Sequence, residues 1–169
     1  MSELRTNMTP LQQTISIALG RSKRGLPAAP SSAPPPVTAQ GRSLRILLVE
    51  DSPDNQVLIQ SYLKNTTHRI DLADNGQIGV AKFQNGHYDL IFMDMQMPVM
   101  DGLTATKTIR RLEQEQGLPA VQIVALTALA LKEESARIFE AGCNAHMTKP
   151  LKRTTLLELL AAYEKTRAQ

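Results

Sequence analysis

Five side chains carry most of the chemistry that this chain of 169 residues can offer: Glu50 and Asp51 together, then Asp94, Thr127 and Lys149. Each has an ordinary use on its own. Glu50-Asp51-Ser52-Pro53 suits a turn leading into a helix. Thr127 suits the cap of a following helix, and Lys149 a solvated loop charge. Brought together, they mean something else. Three converging carboxylates repel, so they either raise one another's pKa or gather a cation. Oxygen ligands, with no His or Cys at these positions, favour Mg2+ over zinc. A Lys and a Thr hydroxyl opposite the carboxylates supply donors for an anion. Acid cluster, divalent cation and anion site together point to phosphoryl transfer.

Whether they converge depends on the elements that carry them. Ile46-Leu47-Leu48-Val49, Leu90-Ile91-Phe92-Met93 and Val121 to Leu126 are nearly continuous apolar runs, the mark of parallel strands covered on both faces. Weaker strands are expected around Arg69–Ala73 and Asn144–Met147, suited to sheet edges. Helical stripes fall between them. The first starts at Ser52-Pro53, with Ser52 as N-cap, and carries Leu58, Ile59, Tyr62 and Leu63. Asn75 to Gln84 forms the second. Ala105, Ile109 and Leu112 stripe the third, which starts near Asp101-Gly102 and ends near Gly117 and Pro119. Leu131, Ser135 and Ile138 stripe the fourth, and Leu156, Leu157, Leu160 and Tyr163 the fifth.

This βαβαβαβαβα alternation predicts a doubly wound α/β fold, a five-stranded parallel sheet with helices on both faces. In such sheets the site lies beyond the carboxyl ends of the strands. The first strand delivers Glu50 and Asp51 there, the third Asp94, the fourth Thr127 and the fifth Lys149, followed by Pro150.

With these residues in place, the chain closely resembles the receiver domain of two-component response regulators, in the style of receivers attached to hybrid histidine kinases. The resemblance is carried by Ile46-Leu47-Leu48-Val49-Glu50-Asp51, Met93-Asp94-Met95-Gln96-Met97-Pro98-Val99-Met100-Asp101-Gly102, Ala125-Leu126-Thr127-Ala128 and Thr148-Lys149-Pro150. It covers residues 44–165 and implies the flavodoxin-like strand order 2-1-3-4-5. It implies Asp94 as phosphoacceptor, attacking a phosphohistidine to form an aspartyl phosphate. It assigns Mg2+ to Glu50 (through a metal-bound water), Asp51, Asp94 and the backbone carbonyl of Gln96. Lys149 would pair with the phosphoryl group, or with Asp94 before phosphorylation, and Thr127 would be drawn inward onto a phosphoryl oxygen. A cis Lys149–Pro150 bond belongs to the same pattern. Where many receivers place a Tyr or Phe switch residue, this chain has His146, whose plain reading is a partly exposed surface His. Leu129, two past Thr127, would bear on phosphoryl lifetime.

The remaining sequence sets bounds. The net charge of +3 divides unevenly: residues 1–43 hold five basic groups against one acid, and residues 44–169 hold 14 against 15. Six of the ten prolines lie in the same 1–43 stretch. A flexible basic Pro/Ala/Ser-rich leader and a mildly acidic working domain, 44–169, are expected, and the bulk basicity is no sign of a nucleic-acid partner. No apolar run approaches the ~20 residues of a membrane span. A cytoplasmic location fits the family. Only Thr166-Arg167-Ala168-Gln169 follows the last helix, so no DNA-binding domain is expected, and output would pass through a histidine kinase, a histidine phosphotransfer domain or a downstream protein target. Catalysis would be limited to the chain's own phosphorylation and dephosphorylation. An Asp-nucleophile hydrolase would want a second Asp two residues after Asp94, where Gln96 stands. A phosphorylation-independent scaffold is the other alternative, as is a receiver derived from a hybrid kinase. Gly76-Gln77-Ile78-Gly79 lacks a dinucleotide-binding spacing. Cys143, the single cysteine, is expected to be a small buried side chain.

Overall fold

The computed structural model describes residues 43–128 and 131–167. The expected leader up to residue 42, and Leu129, lie outside the described residues. Strands and helices alternate: β1 (Arg45–Val49), α1 (Pro53–Leu63), β2 (Arg69–Ala73), α2 (Gly76–Asn85), β3 (Leu90–Asp94), α3 (Gly102–Gln116), β4 (Gln122–Thr127), α4 (Lys132–Glu140), β5 (Ala145–Thr148) and α5 (Arg153–Arg167). The strands form one sheet in the order β2-β1-β3-β4-β5, with every neighbouring pair parallel. The two weakly patterned strands are the edges, as their half-exposed side chains require.

Alternation along each strand splits the core in two. Ile46, Leu48, Leu90, Phe92, Val124 and Leu126 face Ile59 and Leu63 of α1 and Leu156, Leu159 and Leu160 of α5. Leu47, Val49, Ile91, Met93, Ile123 and Ala125 face Val80 and Phe83 of α2, Ala105 and Ile109 of α3 and Ile138 of α4. Two packed faces explain why the central strands are apolar at every position.

Helix starts follow local chemistry. Ser52, Asn75 and Asp101 each accept a hydrogen bond from the backbone N–H three residues on. α3 ends on Gly117, whose φ of 64° suits a left-handed cap. Gly102 is required for a different reason. A Cβ there would collide with the backbone carbonyl oxygen of Asp94, so α3 can start this close to the end of β3 only on a glycine.

Some expected stripes are corrected. Leu58 and Leu131 are exposed rather than core-facing, 37% and 59% respectively. In α1 the inward position next to Ile59 belongs instead to Gln56, which is buried because its amide has polar partners. Leu131 is the residue before α4 and points its backbone, not its side chain, into the structure's hydrogen bonding, its carbonyl accepting from Ser135 N–H. In α5, Leu159 is buried where Leu157 is only half so.

A buried ion pair sits at the amino end of β4 and β5. The Arg110 guanidinium donates to both oxygens of Glu113, at 3.0 and 2.7 Å, and also to Gly142 O and Asn144 Oδ1. Glu113 in turn accepts from Val121 N–H at 2.7 Å. Cys143 is buried beside Thr106, and burial pushes its thiol pKa up.

Candidate phosphoacceptor site

The carboxyl ends of four parallel strands place the chemistry. Glu50 and Asp51 follow β1 directly, Asp94 closes β3, Thr127 closes β4, and Lys149 follows β5. The pairing of β3 with β4 sets Asp94 beside Leu126 and Thr127 one residue beyond it. The expected convergence is real. Oxygens of Glu50, Asp51 and Asp94 all lie within 4.8 Å of one another.

Their environments differ. Glu50 is wholly buried, Asp94 nearly so at 4%, and Asp51 is exposed. Lys149 Nζ lies 2.8 Å from Glu50 Oε2 and 2.9 Å from Asp94 Oδ2, holding two buried carboxylates with one cation. The other oxygen of Asp94 accepts from Gln96 N–H at 3.1 Å. Burial pushes the Asp94 pKa up, and the Glu50 charge adds to that, against the opposing hydrogen bonds from Lys149 and Gln96. For Lys149, burial works downward, but the two carboxylates outweigh it and hold the ammonium above its usual range. The Lys149–Pro150 peptide is cis.

Glu50 is fixed by residues that motif reading did not single out. Its Oε1 accepts from Ser52 N–H at 3.2 Å and Asn55 Nδ2 at 3.1 Å. Gln56 Nε2 donates to the Glu50 carbonyl at 2.7 Å and to Asp74 Oδ1 at 2.9 Å. The signal was in the sequence, since amides in the first turns of a helix stand over the residues that precede it.

Thr127 is buried, and its hydroxyl donates to Glu134 Oε1 of α4 at 3.0 Å. It therefore does not cap α4, whose N-cap is Leu131 without a side-chain bond. His146 sits on β5 opposite Ala125, half-buried, with its ring edge-on to Phe139 at 5.6 Å. Its Nδ1 is buried without a hydrogen-bond partner, and burial pulls its pKa down against the charge of Glu134. His68, just before β2, accepts from Leu44 N–H through Nδ1 and faces Glu164 at 3.7 Å.

The donor set is what a hard divalent cation needs: carboxylate oxygens, one of them on an exposed side chain, with no nitrogen or sulfur competitor among them. A profile of the response regulator receiver domain family matches residues 46–161. The chain belongs to that family.

As a receiver domain it has well-characterised company. It is 43% identical over 117 residues to hybrid signal transduction histidine kinase M of Dictyostelium discoideum, a match covering 68% of this chain and 5% of that kinase. The receiver thus corresponds to a small part of the curated relatives it matches. Among solved structures it resembles the Saccharomyces cerevisiae Ssk1 receiver domain, co-crystallised with the histidine phosphotransfer protein Ypd1. That likeness has a TM-score of 0.72 at 34% identity and covers 75% of this chain and 92% of that one. It also resembles the receiver domain of sensor histidine kinase PA1611 from Pseudomonas aeruginosa PAO1, solved with a magnesium ion in its active-site cleft. There the TM-score is 0.65 at 37% identity, covering 73% of this chain and 99% of that one. The flavodoxin-like fold and the two-component receiver role implied by the sequence are both met. Among the described residues, no helix is long and apolar enough to cross a membrane.

Proposed function

We propose that this receiver takes a phosphoryl group onto Asp94 from a phosphohistidine and uses the charge gained to change its partner-binding surface. The observation that carries this reading is the position of Lys149, which spans Glu50 and Asp94 while Asp51 completes the acidic cluster from the exposed side. A carboxylate is a weak nucleophile, and a buried one facing two like charges is usable only where cations absorb the charge that builds up on the incoming group. Asp51, Asp94 and the Gln96 carbonyl would hold Mg2+, with Glu50 acting through a bound water; the ion supplies charge neutralisation at the phosphoryl oxygens.

The chain's own groups do the rest. An Asp94 oxygen attacks phosphorus as the P–N bond to the donor imidazole breaks. The bonding pair goes to the ring nitrogen, and the imidazole leaves neutral by keeping the proton on its other nitrogen. Lys149 exchanges its contact with Asp94 for one with the phosphoryl group. Thr127 donates its hydroxyl to a phosphoryl oxygen. His146, in the place of the usual aromatic, is the second switch residue. Water later attacks the acyl phosphate, releasing inorganic phosphate and restoring the carboxylate.

The donor would be a histidine kinase or a histidine phosphotransfer domain in the cytoplasm, in keeping with the Ypd1 complex of the Ssk1 receiver. Exposed apolar side chains on elements that follow site-bearing strands, Val57 on α1 and Val99 on the β3–α3 loop, suit docking of such a protein. Residues 44–169 form the phosphoacceptor unit in this reading, with residues 1–43 as its leader. Acid-labile, Mg2+-dependent labelling by acetyl phosphate tests it. One phosphoryl group per chain is expected, lost in Asp94→Asn. Stoichiometric labelling that survives in Asp94→Asn refutes the assignment.

A further inference from the structure

The hydroxyl of Thr127 has a single proton to donate, and in this structure it gives that proton to Glu134 Oε1 at 3.0 Å. The acceptor is a carboxylate oxygen carried by the first turn of the next helix, and it approaches a Thr that is 2% exposed. Charge-assisted bonds of this kind are about twice as strong as neutral ones, so Thr127 is not loosely held.

Glu134 also has somewhere to go. It borders an open cavity of about 860 Å³ between α3 and α4, which Gln96, Met95 and Arg137 line as well. Arg137 is three residues along the same helix, the spacing at which opposite charges on a helix meet. A resting contact with the Thr127 hydroxyl, space to move and an alternative cation all belong to one carboxylate.

We propose that Glu134 is the resting acceptor of the Thr127 hydroxyl, and that a phosphoryl group on Asp94 takes this hydroxyl from it. The inference rests on Asp94 being the phosphoacceptor. Glu134 is then a positioning residue for the reaction. It holds Thr127 away from the incoming phosphoryl group and so slows formation of the acyl phosphate. Once displaced, its carboxylate is repelled by the new charge of about −2 and turns toward Arg137 in the cavity. The first turn of α4 thereby senses the state of Asp94. His146 and Phe139, which pack together beside it, lie on the surface this would alter.

The test uses the full chain, Mg2+ and acetyl phosphate, whose P–O bond breaks with acetate leaving as Asp94 is phosphorylated. Glu134→Ala is expected to label about five- to tenfold faster, in line with removal of one charge-assisted hydrogen bond. Glu134→Gln, which keeps a weaker neutral acceptor, should fall between the two. In a Thr127→Ala background Glu134→Ala should have no effect, because the competition has lost its donor. An equal acceleration with and without the Thr127 hydroxyl overturns the proposal, since it would mean that Glu134 acts only as a repelling charge. So does an unchanged rate in Glu134→Ala. The Thr127 methyl resonance gives a readout independent of turnover. It should shift when beryllofluoride and Mg2+ are added, and in Glu134→Ala it should already lie part-way there. A wild-type methyl position in that variant also overturns the proposal. Labelling at Asp94 with no sensitivity to Glu134 refutes this inference alone. Labelling that persists in Asp94→Asn refutes the phosphoacceptor reading and this inference with it.

Discussion

Lys149 and Glu50 form an ion pair at 2.8 Å in which the carboxylate is wholly buried and the ammonium only 22% exposed. With the same ammonium 2.9 Å from Asp94, one cation balances two desolvated acids. Replacing it with an isosteric apolar side chain strands both. Lys149→Met is expected to cost about 3 kcal/mol of folding stability and to slow labelling of Asp94 by about a hundredfold. Mg2+ should raise the melting temperature of the variant more than that of the parent. Unfolding with and without the metal gives the answer, and equal shifts in the two proteins would show that Lys149 and the cation do not share the charge of the cluster.

A comparable stability effect is expected far from the chemistry. Arg110 and Glu113 tie α3 to the loop before β5 and to the first backbone N–H ahead of β4. Arg110→Met leaves Glu113 buried and unpaired, at a cost of about 3 kcal/mol. Adding Glu113→Leu should restore part of the loss, since no charge then remains to be buried. The labelling rate of the folded protein should be unchanged in both. A single variant as stable as the parent would show that the pair is not a strut.

Val99 is a β-branched residue held at φ 70° with its side chain 76% exposed. That conformation costs an L residue about 1–2 kcal/mol, and no packing repays it. Val99→Asn should therefore stabilise the fold by about 0.5–1 kcal/mol, because Asn tolerates the left-handed region. Acetyl phosphate should label it normally, while transfer from a phosphorylated histidine phosphotransfer protein slows. Equal transfer rates would remove Val99 from the docking surface.

The pH dependence follows from His146. Burial lowers its pKa below the usual 6.5, only partly opposed by Glu134. A folded-state pKa lower than the unfolded one favours the neutral ring. That stabilisation is complete above the unfolded pKa and is lost as pH falls through the folded value. Thermal melts of His146→Phe should thus lose less stability than the parent between about pH 7 and pH 5. Parallel pH profiles would count against a half-buried, neutral His146.

Much of this was legible in the order of residues. Continuous apolar runs at Ile46–Val49 and Leu90–Met93 can be satisfied only by strands covered on both sides. Their alternation with helical stripes forces right-handed crossovers. Parallel strands then bring Glu50, Asp51, Asp94, Thr127 and Lys149 to one end, whatever the details of packing. Leu58 and Leu131 misled because a stripe of period 3.6 does not say which polar neighbour will find partners inside, as Gln56 does with the Glu50 carbonyl and Asp74.

The sequence by itself determined which groups meet, because strand direction and alternation are local properties summed along the chain. Only the tertiary structure decided how those groups are shared. One ammonium stands between Glu50 and Asp94, one threonine proton goes to Glu134, and the His146 ring packs edge-on to Phe139. Such choices depend on distances of a few tenths of an ångström between elements far apart in sequence, where hydrogen bonds and buried charges gain or lose most of their strength.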